Sequence, residues 1–199
     1  MSPARSLADR RLYLIAPARP DLAELIAAAV RGGVDVVQVR DKELPDPELL
    51  ARLREAREVT RGLGVPLVVN DRPDLAVLAD ADFVHVGQDD VPVDAARQLG
   101  VGVGLSTHAP EEIDAADADY VGVGPIFATP TKEGRPPVGL DLVRYAAEHA
   151  RQPWFAIGGI DESNVRTVVA AGARRIAVVR AIGAADDPER AAATLRAAL

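Results

Sequence analysis

The stretch LVVNDRPDLAVLADADFVHVGQDD, residues 67–90, holds the pattern that decides the fold. Its apolar run Leu67–Val69 stops at Asn70-Asp71-Arg72, a helical stretch follows over Asp74–Ala79, and a second run, Phe83–Val86, stops at Gly87-Gln88-Asp89-Asp90. Both runs are nearly continuous in apolar residues rather than alternating, which suits strands buried on both faces of a parallel sheet. Both also end in groups able to do chemistry. If the strands are parallel, those endings meet on one face.

The same unit recurs on either side. Strand-length runs lie at Leu12–Ile15, Val36–Val39, Val101–Leu105, Tyr120–Val123, Trp154–Ile157 and Ile176–Val179. Helical stretches between and after them cover Asp21–Val30, which stops at Gly32-Gly33, and Glu48–Arg61, whose Leu49, Leu50, Leu53, Ala56 and Val59 repeat every three to four residues. Further helices fit Val93–Leu99, Glu111–Ala116, Leu140–His149, Asn164–Ala171 and Pro188–Ala198. Eight strands alternating with eight helices predict an α/β fold, a compact single-domain (β/α)₈ TIM barrel over residues 11–199. A doubly wound sheet is the alternative, but Gly102-Val103-Gly104 and Gly122-Val123-Gly124 lack the third glycine of a dinucleotide fingerprint. Phe127–Gly139, rich in Pro, Gly, Thr and charge, is the one long loop, of the kind that often serves as a lid or clamp.

Composition narrows the function. With 199 residues, 48% of them hydrophobic, the chain can bury one substantial core. A net charge of −7 argues against broad nucleic-acid binding, so an anionic ligand must meet a local cluster of cations. There is no cysteine, hence no disulfide and no thiolate metal site. No segment reaches the ~20 apolar residues of a membrane span. Residues 1–10 are charged and lack an apolar signal core, which predicts a flexible tail on a cytoplasmic protein.

In a barrel the active site forms at the C-terminal ends of the strands. Asp71 and Asp90 follow neighbouring strands and could share a hard cation through oxygen ligands. Alternatively these aspartates are turn residues or helix caps, and Asp89 is a candidate cap for the next helix. Gln38, Arg40 and Lys42 alternate and so share one face of an extended segment, where Arg and Lys can bind phosphate. A solvated surface pair is the other reading. Thr129-Pro130-Thr131-Lys132 adds hydroxyls and a cation, and Gly158-Gly159 with Val179-Arg180 stand where barrels often bind phosphate, although a tight turn would also explain the glycines. His85 reads as a hydrogen-bonded core residue, His149 has no assigned role, and His108 is placed for acid–base work.

Cations and carboxylates around one anion conflict. A carboxylate about 5 Å from a phosphate charge is repelled by roughly 3 kcal/mol at an effective dielectric near 20. A bridging Mg²⁺ reverses that sign, so the mixture points to a metal-bound diphosphate.

Six segments then carry a resemblance: Val37-Gln38-Val39-Arg40-Asp41-Lys42, Val69-Asn70-Asp71-Arg72, His85-Val86-Gly87-Gln88-Asp89-Asp90, Gly104-Leu105-Ser106-Thr107-His108, Gly124 through Lys132, and Ile157-Gly158-Gly159-Ile160. In this order they resemble the signature segments of thiamine-phosphate synthase. The resemblance implies a transferase of thiamine biosynthesis that joins an aminopyrimidine-methyl diphosphate to a thiazole phosphate and releases pyrophosphate. It implies that Gln38, Arg40, Lys42, Asn70, Ser106 and Lys132 hold the pyrimidine diphosphate, with Lys132, Ser106, Arg40 and Lys42 serving catalysis, and that Asp71 and Asp90 hold Mg²⁺. Thr129 and Thr131 would contact the thiazole, and Gly159 with the Val179-Arg180 backbone would hold its phosphate. Its partners are then small-molecule substrates, with a homo-oligomer weakly favoured. Two positions depart from the family: Ala16-Pro17 replaces a Thr-Asp pair after the first strand, and Arg180 stands where Ser is frequent. A thiazole tautomerase on the same barrel and a non-catalytic sensor of thiamine phosphate are the rival readings. The paired carboxylates with Lys42 and Lys132 argue against the tautomerase, and their retention beside the phosphate glycines argues against the sensor.

Overall fold

The computed structural model describes residues 6–129 and 136–199. Its strands are β1 (Leu12–Ala16), β2 (Val36–Val39), β3 (Leu67–Asn70), β4 (Phe83–Val86), β5 (Gly102–Thr107), β6 (Tyr120–Val123), β7 (Trp154–Ile157) and β8 (Ile176–Val178). Each pairs in parallel with the next, and β1 pairs with β8 at Tyr13↔Ala177, so the sheet closes. The helices are α1 (Leu22–Arg31), α2 (Asp46–Leu63), α3 (Pro73–Leu78), α4 (Val93–Gln98), α5 (Pro110–Ala115), α6 (Gly139–His149), α7 (Val165–Ala170), α8 (Arg180–Gly183) and α9 (Pro188–Ala197). The predicted (β/α)₈ barrel is the fold of the chain. The short helix α8 is an addition to the eight expected; four residues are too few to show a helical period.

Side chains divide by strand alternation into two layers. Leu12, Leu14 and Ala16 pack with the helices, while Tyr13 and Ile15 join Val36, Val68, Phe83, Tyr120, Phe155 and Ala177 inside the barrel. Glycine makes room for the interior aromatics. A Cβ at Gly104 would lie 2.1 Å from Tyr120 Cζ, and one at Gly102 would lie 2.3 Å from Phe83 Cδ1. Leu7 also belongs to the interior cluster and is buried, while Ser6, Ala8 and Asp9 beside it are exposed.

The N-terminal edge of the barrel repeats one device. Asp35, Asp82 and Asp119 each precede an even-numbered strand, and each carboxylate accepts the backbone N–H that opens or nearly opens the preceding strand: Leu12 at 2.9 Å, Leu67 at 2.9 Å and Val103 at 2.7 Å. Each aspartate's own N–H returns to the carbonyl of that same residue. Backbone N–H groups at the starts of β1, β3 and β5 are satisfied in this way. No helix among the described residues is long and apolar enough to cross a membrane.

Candidate active site

The strand ends surround a cavity of about 440 Å³. Gln38 is buried near the end of β2, with Arg40 and Lys42 just beyond it. Between these cations Asp41 anchors the loop: its carboxylate accepts N–H bonds from Leu44 at 2.9 Å, Glu43 at 3.0 Å and Ala18 at 3.3 Å. Burial works against its ionisation, but these three donors and the nearby Arg40 outweigh it, holding the carboxyl below its usual range. Ala16-Pro17, at the end of β1, thus leads into Ala18, a backbone donor for the neighbouring loop.

At the end of β3, Asn70 is buried and its Nδ2 has no hydrogen-bond partner among the described residues. Asp71 takes a left-handed backbone with φ 60°, uncommon outside glycine, and its Oδ2 lies 3.0 Å from Lys42 Nζ. The next residue faces away from this pair. Arg72 forks onto Asp46 at 2.6 and 2.8 Å and onto Asp74 at 2.9 and 2.7 Å, tying the starts of α2 and α3 together. After β4, Asp90 Oδ2 accepts the N–H of Gly87 at 2.8 Å, so Asp90 shapes its own turn while lining the cavity. Asp89 does not cap the next helix: α4 begins after Pro92 with no side-chain cap.

On β5, Ser106 is buried, and its Oγ lies 2.9 Å from His85 Nε2. His108 lines the cavity with its ring Nδ1 bonded to the carbonyl of Gly124. Thr129, at the start of the long loop, lines the cavity as well. Thr131 and Lys132 lie outside the described residues. The far end of that loop is pinned, with Val138 N–H donating to Pro125 O at 2.8 Å.

Across the mouth, Gly158 and Gly159 follow β7 with φ 101° and 65°. A Cβ on Gly159 would lie 2.7 Å from Phe127 Cβ and 2.8 Å from Ala128 O, so glycine here serves both the backbone conformation and the close approach of the long loop. Val179 caps α8, and Arg180 opens that helix, exposed at the rim. Gln38, Arg40, Lys42, Asn70, Asp71, Asp90, Ser106, Thr129, Gly159, Val179 and Arg180 therefore line one cavity. His85 is hydrogen-bonded as expected but also faces this cavity. Tyr13, Tyr120 and Phe155, which form its floor, are new; the sequence marks them only as aromatics within apolar runs.

Known proteins agree on what this arrangement resembles. Residues 12–182 match the family model described as thiamine monophosphate synthase. A thiamine-phosphate synthase from Thermobifida fusca is 51% identical over 204 residues, covering 96% of this chain and 93% of that protein. One from Gloeobacter violaceus is 51% identical over 193 residues, 94% of this chain, which spans only 57% of that longer protein. Among solved structures, the thiamine phosphate pyrophosphorylase from Pyrococcus furiosus superposes with a TM-score of 0.88 at 32% identity, covering 96% of each chain. With a family match over most of its length and relatives 51% identical to it, the chain belongs to the thiamine-phosphate synthase family.

Proposed function

We infer that this protein condenses 4-amino-2-methyl-5-(diphosphooxymethyl)pyrimidine with a thiazole phosphate to give thiamine phosphate and pyrophosphate. The observation that carries this reading, beside family membership, is the partition of the cavity. Arg40, Lys42 and Asn70 Nδ2, which has no partner among the described residues, gather on the β2–β3 side, while Gly158-Gly159 and the Val179-Arg180 backbone stand at the ends of β7 and β8. Two anion-seeking regions in one cavity suit a diphosphate donor and a phosphorylated acceptor.

In the reaction the methylene–oxygen bond breaks, its electron pair leaves with pyrophosphate, and the thiazole nitrogen supplies the pair of the new carbon–nitrogen bond. The pyrimidine amino group can stabilise positive charge on the methylene, which supports a dissociative displacement without a protein nucleophile. Arg40 and Lys42 bind the departing charge, Asn70 donates to one of its oxygens, and Ser106 with Gln38 orients the ring, so catalysis is positioning plus electrostatics. Lys132 adds a further cation from the long loop.

The donor set fits Mg²⁺. Asp71 and Asp90 offer hard carboxylate oxygens to the same cavity, and among the described residues Oδ2 of each meets Lys42 Nζ or the Gly87 N–H. When bound, the ion supplies positive charge that offsets the carboxylates and the diphosphate. Cytoplasmic location and homo-oligomeric assembly complete the reading; fractionation and light scattering measure them.

The test mixes both substrates with and without Mg²⁺ and follows pyrophosphate release and thiamine phosphate formation. Metal-dependent product is expected, and Lys132→Ala should lower kcat about 100-fold or more with the fold intact. No product with metal present would overturn the synthase reading, and isomerisation of the thiazole alone would favour a tautomerase.

A further inference from the structure

Beneath the cavity, five side chains from five strands form one hydrogen-bonded chain across the barrel. Gln38 Nε2 donates to the Tyr13 hydroxyl at 2.6 Å, and Tyr13 and Tyr120 hydroxyls lie 3.0 Å apart. Tyr120 OH lies 3.0 Å from His85 Nδ1, and His85 Nε2 lies 2.9 Å from Ser106 Oγ. Tyr13 and Tyr120 are fully enclosed, and burial pushes both hydroxyls well above the usual phenol range, so they stay protonated dipoles.

We propose that this chain is a proton-order device: Tyr13, Tyr120 and His85 are positioning residues that make Ser106 a hydrogen-bond donor to the substrate. The argument is a count of protons. With Gln38 Nε2 donating, Tyr13 oxygen is an acceptor, and among the described residues its one proton has only Tyr120 to go to. Tyr120 then gives its own proton to His85 Nδ1. An imidazole that accepts at Nδ1 carries its proton on Nε2 and donates to Ser106 Oγ, which leaves the serine hydrogen for the cavity. In the opposite order Tyr13 would receive two donors and hold a buried proton with no acceptor, a cost of about 1–3 kcal/mol in general. The two ends of the chain consequently differ: Gln38 keeps its Oε1 as an acceptor, and Ser106 presents a donor. That pair suits a heterocycle carrying both an amino donor and a ring-nitrogen acceptor, which deepens the synthase reading and rests on it for the identity of the ligand.

The first experiment needs no substrate. Nitrogen-15 NMR of the imidazoles in the ligand-free protein, with His85 assigned through His85→Gln, should show Nε2 protonated and Nδ1 bare; a proton on Nδ1 would overturn the proposal. The second uses Tyr120→Phe, which keeps the ring and removes the hydroxyl. It should mix the His85 tautomers and raise KM for the pyrimidine diphosphate about three- to tenfold, leaving KM for the thiazole phosphate unchanged. An unmixed tautomer, or equal changes in both KM values, would also overturn it. Tyr13→Phe serves in the same way if Tyr120→Phe fails to fold. Because the tautomer is read without turnover, a protein that makes no thiamine phosphate would sink the synthase reading while this device is still tested.

Discussion

The carboxylate of Asp41 accepts hydrogen bonds from backbone on two loops, Ala18 after β1 and Glu43-Leu44 after β2, and so sets how the cations on either side of it stand. Its folded pKa lies below the unfolded one. The stabilisation is therefore fully present above about pH 4, the ordinary Asp value, and fades as pH falls through the folded value. Asp41→Asn should cost about 1 kcal/mol at pH 7, and the gap in thermal midpoint from the parent protein should close in acid. A gap independent of pH would rule out the charge as its source. At this scale the sequence was readable where alternation alone decides, as for Gln38, Arg40 and Lys42. The role of Asp41 was not, because its donor Ala18 lies 23 residues away along the chain.

Among elements, the strands matched their apolar runs closely, and the helices differed mainly at their ends. The run Ile176–Val179 is one residue shorter as a strand, since Val179 leaves the sheet to cap α8. The Gly158-Gly159 pair was visible as a turn or an anion site; what the structure adds is the reason alanine does not fit. Gly159→Ala would set a Cβ against Phe127 and the Ala128 carbonyl at a positive φ. A cost of about 1–3 kcal/mol is expected, with a displaced long loop. Steady-state kinetics should show KM for the thiazole phosphate rising more than KM for the pyrimidine diphosphate, and an unchanged ratio would detach this turn from the acceptor.

For the whole molecule, the repeated Asp35, Asp82 and Asp119 bonds hold the barrel's N-terminal edge, opposite the chemistry. Asp119→Ala should lower unfolding free energy by about 1–3 kcal/mol in urea titration with kcat retained. Asp82→Ala should cost more, since it also strips Arg57 of its 2.7 Å partner, and Arg57 Nε already has none among the described residues. Equal losses would show that Arg57 adds nothing. The sequence by itself determined the strand order, the residue types at each strand end and hence the family, because these follow from local periodicity and from motifs read along the chain. Only the tertiary structure decided that Tyr13, Tyr120 and His85 meet between Gln38 and Ser106, and that Asp71 faces Lys42. Those meetings depend on inter-strand register and on closure of β8 against β1, geometric quantities of the entire barrel that no local stretch encodes.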